Sequence, residues 1–386
     1  MKQIQQKDKP FNVSPTFGTE LDNRSFQSRP NYENGGQPKS KIKRLVKRVV
    51  LSVVALIVIG VVGFGWDLYS AVSSLTGQRN PFTLISTIFP RPLAETNGRI
   101  NILIAGYSVG DPHHQGASLT DSIMIASINP KNKTGVLVSV PRDLWVNIPG
   151  NGYSKINAAY EYGQRDNFSK PGYFPGGMGL LEEVVSKDFG VNFNYYALIN
   201  YAALKDAVNA VGGITITIHS TNPKGIYDAY THLKLPNGRV TLNGQEALNL
   251  ARARGDNAAG DVSYGLSGSD FERTQHQQQM LVALKDKASQ MSSLINPITV
   301  IRLVKSVGSN VITNLDVGQM ETMYSDTKGI SNKNIKEVTI NNYNGQDLLS
   351  NYSTYQQGYF QEALVPAAGY QDFSAIRQAV HQLMYQ

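Results

Sequence analysis

Cysteine is absent from all 386 residues. That absence excludes disulfides, thiolate nucleophiles and zinc–thiolate sites, and it suits an oxidising exterior. Most of the chain also lacks a charge excess. Eleven of the 36 Lys/Arg and four of the 29 Asp/Glu stand in residues 1–48, which leaves 25 of each sign in the remainder. The formal net charge of +7 is therefore that of an N-terminal tail, where it suits anionic lipid head groups. The remainder has no basic excess with which to attract a polyanion, so nucleic acid is not expected as a partner. Internal repeats are absent as well.

What is present begins with one long uncharged run, Val49 to Trp66. At 1.5 Å per residue it covers about 27 Å, enough for a bilayer core. Lys39, Lys41, Lys43, Arg44, Lys47 and Arg48 precede it and Asp67 follows. The positive-inside rule then predicts a single-pass signal anchor at 49–66, with the N-terminus cytoplasmic and the rest outside. A cleaved signal peptide fits poorly, because 48 residues are too many for its basic leader and no small-x-small site follows closely. Residues 1–48 read as a basic cytoplasmic tail, disordered over 1–40, which are rich in Gln, Asn, Pro, Ser and Lys. Residues 67–98 read as a juxtamembrane connector with a short helix near Asp67 to Leu75 and breakers at Asn80-Pro81 and Pro90-Arg91-Pro92. Residues 99–386 form the predicted extracytoplasmic domain.

Within that domain Ile100 to Ala105, Ser122 to Ile128 and Gly135 to Val140 are short apolar runs bounded by Gly, Asn or Pro, as buried strands are. Helices are expected over Lys155 to Tyr162, Gly179 to Asp188 and Tyr201 to Val211, the last closed by Gly212-Gly213. Ile214 to Ile218 alternates as a strand, and Pro236-Asn237-Gly238 marks a turn. Asn243 can cap a helix through Leu248, with Glu246 at capping-box spacing. Further helices are expected over Phe271 to Ser292, Pro297 to Ser306 and Ala375 to Met384, with a strand at Glu337 to Ile340. This mixture predicts an α/β class with a mixed central sheet and helices on both faces.

Four arginines and a few aspartates stand out against this frame. Arginine keeps its proton near neutral pH, and its planar fork grips phosphate oxygens in pairs. Arg252 and Arg254 are separated by alanine where a helix should end, and extended backbone would point both the same way. Asp270, Arg273 and Gln277 share one helix face at i, i+3 and i+7, near a helix start that favours anions. Pro141-Arg142-Asp143 follows a strand end, where open α/β sheets place functional side chains. Thr120-Asp121-Ser122 immediately precedes a strand. Lys155 opens a predicted helix against the dipole, a local conflict that hints at function. Each feature also has an ordinary reading: a solvated helix face with an Asp270–Arg273 pair, two arginines at a helix end, and two turns. As a set they suggest a pyrophosphate clamp with a divalent metal.

The order of these motifs resembles the LytR-CpsA-Psr family of bacterial cell-wall ligases. The likeness covers nearly all of residues 99–290 and runs through Asn101 to Gly106, Leu119 to Ser122, Ser139 to Asp143, Lys155 to Tyr160, Ala210 to Ile214, Leu242 to Leu248, the Arg252/Arg254 pair and Asp270 to Gln279. The resemblance implies a membrane-anchored enzyme with an extracytoplasmic α/β domain. Such an enzyme transfers a teichoic-acid- or capsule-like glycopolymer from a polyprenyl-pyrophosphate carrier to peptidoglycan by Mg²⁺-assisted phosphoryl transfer. Carried over by position, Arg142, Arg252, Arg254 and Arg273 hold the pyrophosphate, helped by Lys155 and Gln277, while Asp121 and Asp270 hold Mg²⁺. Asp121 is also the expected proton acceptor, and with Arg142, Arg252 and Arg254 completes the expected catalytic set.

Two departures from the family pattern stand near these residues. Ser108 occupies a position where many relatives have aspartate, with Asp111 as a substitute oxygen donor, and His276 stands where arginine is frequent. His113 and His114 lie in a Gly/Pro-flanked loop read as solvated rather than metal-binding. Leu103, Ile125, Leu137, Val185, Leu198 and Ile216 are expected as plain core. Two other functions fit the same clamp: a polyprenyl-pyrophosphate glycan hydrolase, and a non-catalytic anchor or regulator that binds lipid-linked glycans.

Overall fold

The computed structural model describes residues 90–107, 118–258, 260–290, 310–356 and 358–386. The tail 1–48, the run 49–66, most of the connector, Ser108, Asp111, His113, His114 and the predicted helix at 297–306 lie outside the described residues. Among the described residues no helix is long and apolar enough to cross a membrane.

The three apolar runs are strands: β1 (Ile100–Tyr107), β2 (Thr120–Asn129) and β3 (Thr134–Val140). The chain then folds a small hairpin, β4 (Trp145–Ile148) with β5 (Gly152–Lys155). A single 3-10 turn leads into α1 (Ala159–Arg165) and α2 (Gly176–Phe189). Lys155 is thus the last residue of a strand, not the first of a helix, which corrects the sequence expectation. Its backbone is held by cross-strand pairing to Trp145, and it is also the N-cap of the 3-10 turn, so the expected helical segment opens one residue later.

β6 (Tyr195–Asn200) runs into α3 (Tyr201–Ala210), which Asn200 caps by accepting from the Ala203 N–H at 2.9 Å. Gly213 then turns the chain at φ 92°, and a Cβ there would meet the Leu242 carbonyl oxygen at 2.9 Å, so glycine is required. β7 (Ile214–Ile218), the small hairpin β8 (Ile226–Asp228) with β9 (Leu233–Leu235), and β10 (Gly238–Leu242) follow. α4 (Gly244–Arg252) carries the predicted capping box between Asn243 and Glu246. α5 (Asp270–Gln290), β11 (Val311–Thr313), α6 (Val317–Thr327) and β12 (Ile335–Thr339) come next. The hairpins β13 (Asn342–Tyr343) with β14 (Gln346–Asp347) and β15 (Leu349–Gln356) with β16 (Tyr359–Pro366) precede α7 (Ser374–Tyr385).

The central sheet has the order β11-β6-β1-β2-β3-β12. It is mixed, as expected: β1 pairs antiparallel with β2 and parallel with β6, and β3 pairs antiparallel with β2 and parallel with β12. Strand alternation divides its side chains between two faces. Leu103, Ile125 and Val138 pack with Leu181 and Val185 of α2 and Val380 of α7. The other face carries Ile102, Ile104, Ala126 and Leu137, and Gln278 binds α5 to that side of the sheet through the Leu137 and Val338 carbonyls and the Ser139 hydroxyl. A separate apolar cluster joins α3, β7 to β10 and α4 with Met280 of α5. Five of the six residues expected as plain core sit in the two larger clusters. Leu137 does not, and lines a cavity instead.

Candidate functional site

The site assembles where β1, β2 and β3 bring their ends to one edge. A register shift between β1 and β2 pairs Gly106 with Ser122 and Tyr107 with Thr120. Asp121 is therefore the extra residue of a β-bulge, a device that re-aims one side chain out of the pleat. It lies inside β2 rather than before it, correcting the expected strand start.

Arg142 sits just past the end of β3 and is the hub. It donates a hydrogen bond to Asp121, and its Nε lies 3.4 Å from Asp270 Oδ1 and 3.6 Å from Asp143 Oδ2. Asp143 in turn holds Lys155 Nζ at 2.8 Å. Asp270, the first residue of α5, places Oδ1 2.6 Å from Arg273 and 3.5 Å from Arg254. Arg273 is only 3% exposed and donates to the Asp121 carbonyl at 2.8 Å. Residues 152 positions apart are thus in direct contact. α4 ends at Arg252, and Ala253 is extended (ψ 128°), as the Arg252/Arg254 spacing required. Arg252 lies over the Tyr201 and Tyr230 rings at 5.5 and 5.9 Å, within cation–π range of both. Gln277 donates to the Ala251 carbonyl at 3.0 Å, which ties α5 to the end of α4. All eight residues named from the sequence converge here.

Sequence reasoning missed two residues that position the clamp. Asp228 is fully buried, and its Oδ1 accepts from the backbone N–H groups of Arg254 and Gly255 at 3.1 and 2.8 Å. The only local signal is an acid at an inward position of β8. Tyr201 was read as a helix start, with nothing in its neighbours to mark it as a partner for Arg252.

The electrostatics suit an anion. Five cations (Arg142, Lys155, Arg252, Arg254, Arg273) surround three carboxylates (Asp121, Asp143, Asp270), a formal excess of two positive charges. Burial lowers the Arg142 pKa, but Asp270, Asp121 and Asp143 outweigh it and the net direction is up. Burial moves Arg273 down, opposed by Asp270 and reinforced by Arg254 and Arg142. Both stay protonated at neutral pH, given how high arginine starts. Burial and the Asp121 charge raise the Tyr201 phenol, against three arginines that lower it, so it stays neutral. Arg142 Nε, Arg273 Nε and Gln277 Oε1 are buried and make no hydrogen bond among the described residues. Such atoms are uncommon in folded proteins, and Arg142 Nε has only the longer ion-pair contacts to Asp270 and Asp143. His276 is buried, with its pKa lowered chiefly by burial, and so adds no charge near neutral pH.

Next to the clamp, Tyr201, Ala251 and Gln277 line an apolar cavity of about 80 Å³ that also touches Ile104, Met124 and Leu281. A second apolar cavity of about 150 Å³ adjoins it along the same face of the sheet, sharing Ile104 and Leu281 and ending near Leu137 and Ile330. Among the described residues no group of three or more His or acidic side chains is placed to hold a metal ion.

An arginine and aspartate cluster next to an apolar cavity, on a mixed α/β sheet, is what the fold brings together here. Residues 71–364 match the LytR_cpsA_psr family, and the chain belongs to that family. It is 29% identical over 233 residues to the Polyisoprenyl-teichoic acid--peptidoglycan teichoic acid transferase TagU of Oceanobacillus iheyensis, covering 60% of this chain and 64% of that protein. The fold is similar to that of B. subtilis TagV, with a TM-score of 0.54 and 23% identity, covering 75% of this chain and 98% of that one. It is also similar to the LytR-CPS2A-psr family protein YwtF (TagT) with bound octaprenyl pyrophosphate lipid, with a TM-score of 0.50 and 20% identity over 76% of this chain and 93% of that one.

Proposed function

We propose that this protein transfers a glycopolymer from a polyprenyl-pyrophosphate carrier to a hydroxyl of peptidoglycan. The observation that carries the reading is that Gln277, with Tyr201 and Ala251 beside Arg252, lines the first apolar cavity, so the clamp adjoins it. A related fold holds octaprenyl pyrophosphate, and a relative in sequence is named a teichoic acid transferase. In this reading the polyprenyl chain lies against Ile104, Met124 and Leu281, and the two phosphates rest among Arg142, Arg252, Arg254 and Arg273. Lys155 and Gln277 close the sides. The excess of two positive charges offsets the two negative charges of a pyrophosphate diester.

Transfer forms one bond and breaks one. The acceptor oxygen attacks the phosphorus that carries the glycan, the bond from that phosphorus to the bridging oxygen breaks, and polyprenyl phosphate leaves. Charge builds on the leaving phosphate, where preorganised arginines stabilise it most. Asp121, once its link to Arg142 is exchanged for phosphate, takes the proton of the attacking hydroxyl. Asp121 and Asp270 contact different nitrogens of the Arg142 guanidinium, and as hard oxygen donors they fit Mg²⁺ in kind and would be the residues to hold it. When bound, that ion would neutralise charge on the phosphoryl oxygens. In the same reading Val49 to Trp66 anchors the chain in the membrane and the folded domain lies outside.

The test is turnover of a polyprenyl-pyrophosphate glycan analogue by the full chain in detergent, with and without peptidoglycan. Arg252→Ala or Arg254→Ala is expected to lower turnover by about 10²–10³-fold, and Arg252→Lys to restore little, because an ammonium lacks the fork. Binding without turnover would sink the enzyme reading in favour of an anchor. Release of polyprenyl phosphate with no product on peptidoglycan would replace transferase by hydrolase.

A further inference from the structure

Away from the clamp, two hairpins share an aromatic surface to which the transfer reaction gives no role. Ring follows ring from Trp145 of β4 to Tyr352 of β15 at 6.2 Å, on to Tyr370 at 5.6 Å, and to Tyr153 of β5 at 5.7 Å. Gln356 donates to the Tyr153 carbonyl at 3.0 Å, and its cross-strand partner is Tyr359. Strand alternation puts Tyr352, Gln356 and Tyr359 on one face of the hairpin. Tyr153, Tyr370 and Tyr359 are 44%, 51% and 73% exposed.

The base of this surface is fastened to the site. The Leu364 N–H of β16 donates to the Asp143 carbonyl at 3.0 Å, and Asp143 grips Lys155. Trp145, the innermost ring, is the cross-strand partner of Lys155. The rings therefore lead outward from the wall of the clamp.

The surrounding chemistry selects the occupant. Residues 349–366 contain no Lys or Arg and a single acid, Glu362, and their other polar side chains are Ser, Thr, Asn and Gln. An anionic polymer or an anionic membrane surface requires cations, and none is present on this hairpin. Neutral rings beside amides and hydroxyls complement a chain of pyranose rings, whose C–H faces lie on aromatic planes while their hydroxyl and acetamido groups bond to amides. We propose that this surface seats the glycan strand of peptidoglycan and holds the acceptor beside the clamp. The proposal rests on the transfer reading above and assigns its acceptor side.

The test is co-sedimentation of the full chain in detergent with peptidoglycan stripped of attached polymers. The double variant Tyr153→Ala, Tyr359→Ala is expected to bind about tenfold more weakly, equivalent to about 1.4 kcal/mol. Its cleavage of the lipid analogue and its thermal transition should stay as in the parent, because both rings are exposed. Tyr359→Trp, which keeps a stacking plane, should bind as the parent does. Unchanged sedimentation of the double variant overturns the proposal. So does a loss that shows only with phosphatidylglycerol vesicles or with isolated anionic polymer. Failure of the transfer reading shows elsewhere, as lipid cleavage that survives Arg252→Ala. Weaker sedimentation of the tyrosine pair in that event would still support a glycan surface.

Discussion

The two faces of the central sheet share strands yet are finished in opposite ways. On one, Leu103, Ile125 and Val138 meet Leu181, Val184 and Val380, all essentially without exposure. On the other, Ile104, Met124 and Leu137 stop short of α5 and leave two adjoining apolar cavities. Protein interiors ordinarily close such gaps, since each void forfeits dispersion contacts. A sheet that packs one face to completion can carry the cost of an open one. The open face is the one that ends beneath the arginines.

Substitutions on each face sharpen that contrast. The largest effect is expected on the closed face: Leu181→Ala should lower unfolding free energy by about 2–5 kcal/mol, read by denaturant titration. A loss below about 1 kcal/mol would mean that this face is as loose as the other. Next comes Glu182, which sits on α2 beside that core. Burial pushes its carboxyl up to about 7, although the Phe174 N–H donating to it at 2.8 Å favours the charged form. Its folded pKa exceeds its ordinary value of 4.5, so the native state holds the proton more tightly. That contribution is full below the ordinary value and is lost as pH rises toward 7.

The parent should accordingly lose roughly 1–3 kcal/mol relative to Glu182→Gln between about pH 5 and pH 8. Asp188, pushed up to about 6 by burial, is common to both proteins, so the difference isolates Glu182. Parallel stability–pH curves would show that Glu182 reaches water. The smallest effect on stability belongs to the open face. Leu281→Trp, at the junction of the cavities, should shift unfolding by no more than about 1 kcal/mol, because the ring enters a void. It should still weaken octaprenyl pyrophosphate binding about tenfold or more, measured by calorimetry. Equal affinity would detach the lipid from this face.

The parts of this molecule legible in its sequence are those fixed by local rules. β1 to β3 are short apolar runs with turn residues at their ends, and α4 announces itself through Asn243 and Glu246. The extended Ala253 followed from Arg252 and Arg254 because only straight backbone lets them work together. Lys155 was misplaced because β4 and β5 are four residues each, too short for a period to show. β15 was overlooked because its Ser, Asn, Thr and Gln pair only with β16 and cover no core on one side. The bulge at Asp121 exists only in the register of two strands. Tyr201 and Asp228 act on Arg252 and Arg254 from elements that are distant in sequence. The arginines and their partners Asp121 and Asp270 could be listed from the chain, but Tyr201 and Asp228 could not.

One arrangement at the centre has a thermodynamic consequence. Arg142 faces Asp121, Asp143 and Asp270, so in the proposed transfer an incoming phosphate would compete with carboxylates for the same guanidinium. Each contact it takes over releases an aspartate to bind a proton or a cation. Anion uptake and carboxylate release are therefore one coupled equilibrium, and by reciprocity whatever binds the released aspartates tightens the grip on the anion by the same factor. Anion affinity and carboxylate protonation are then two readouts of one linkage.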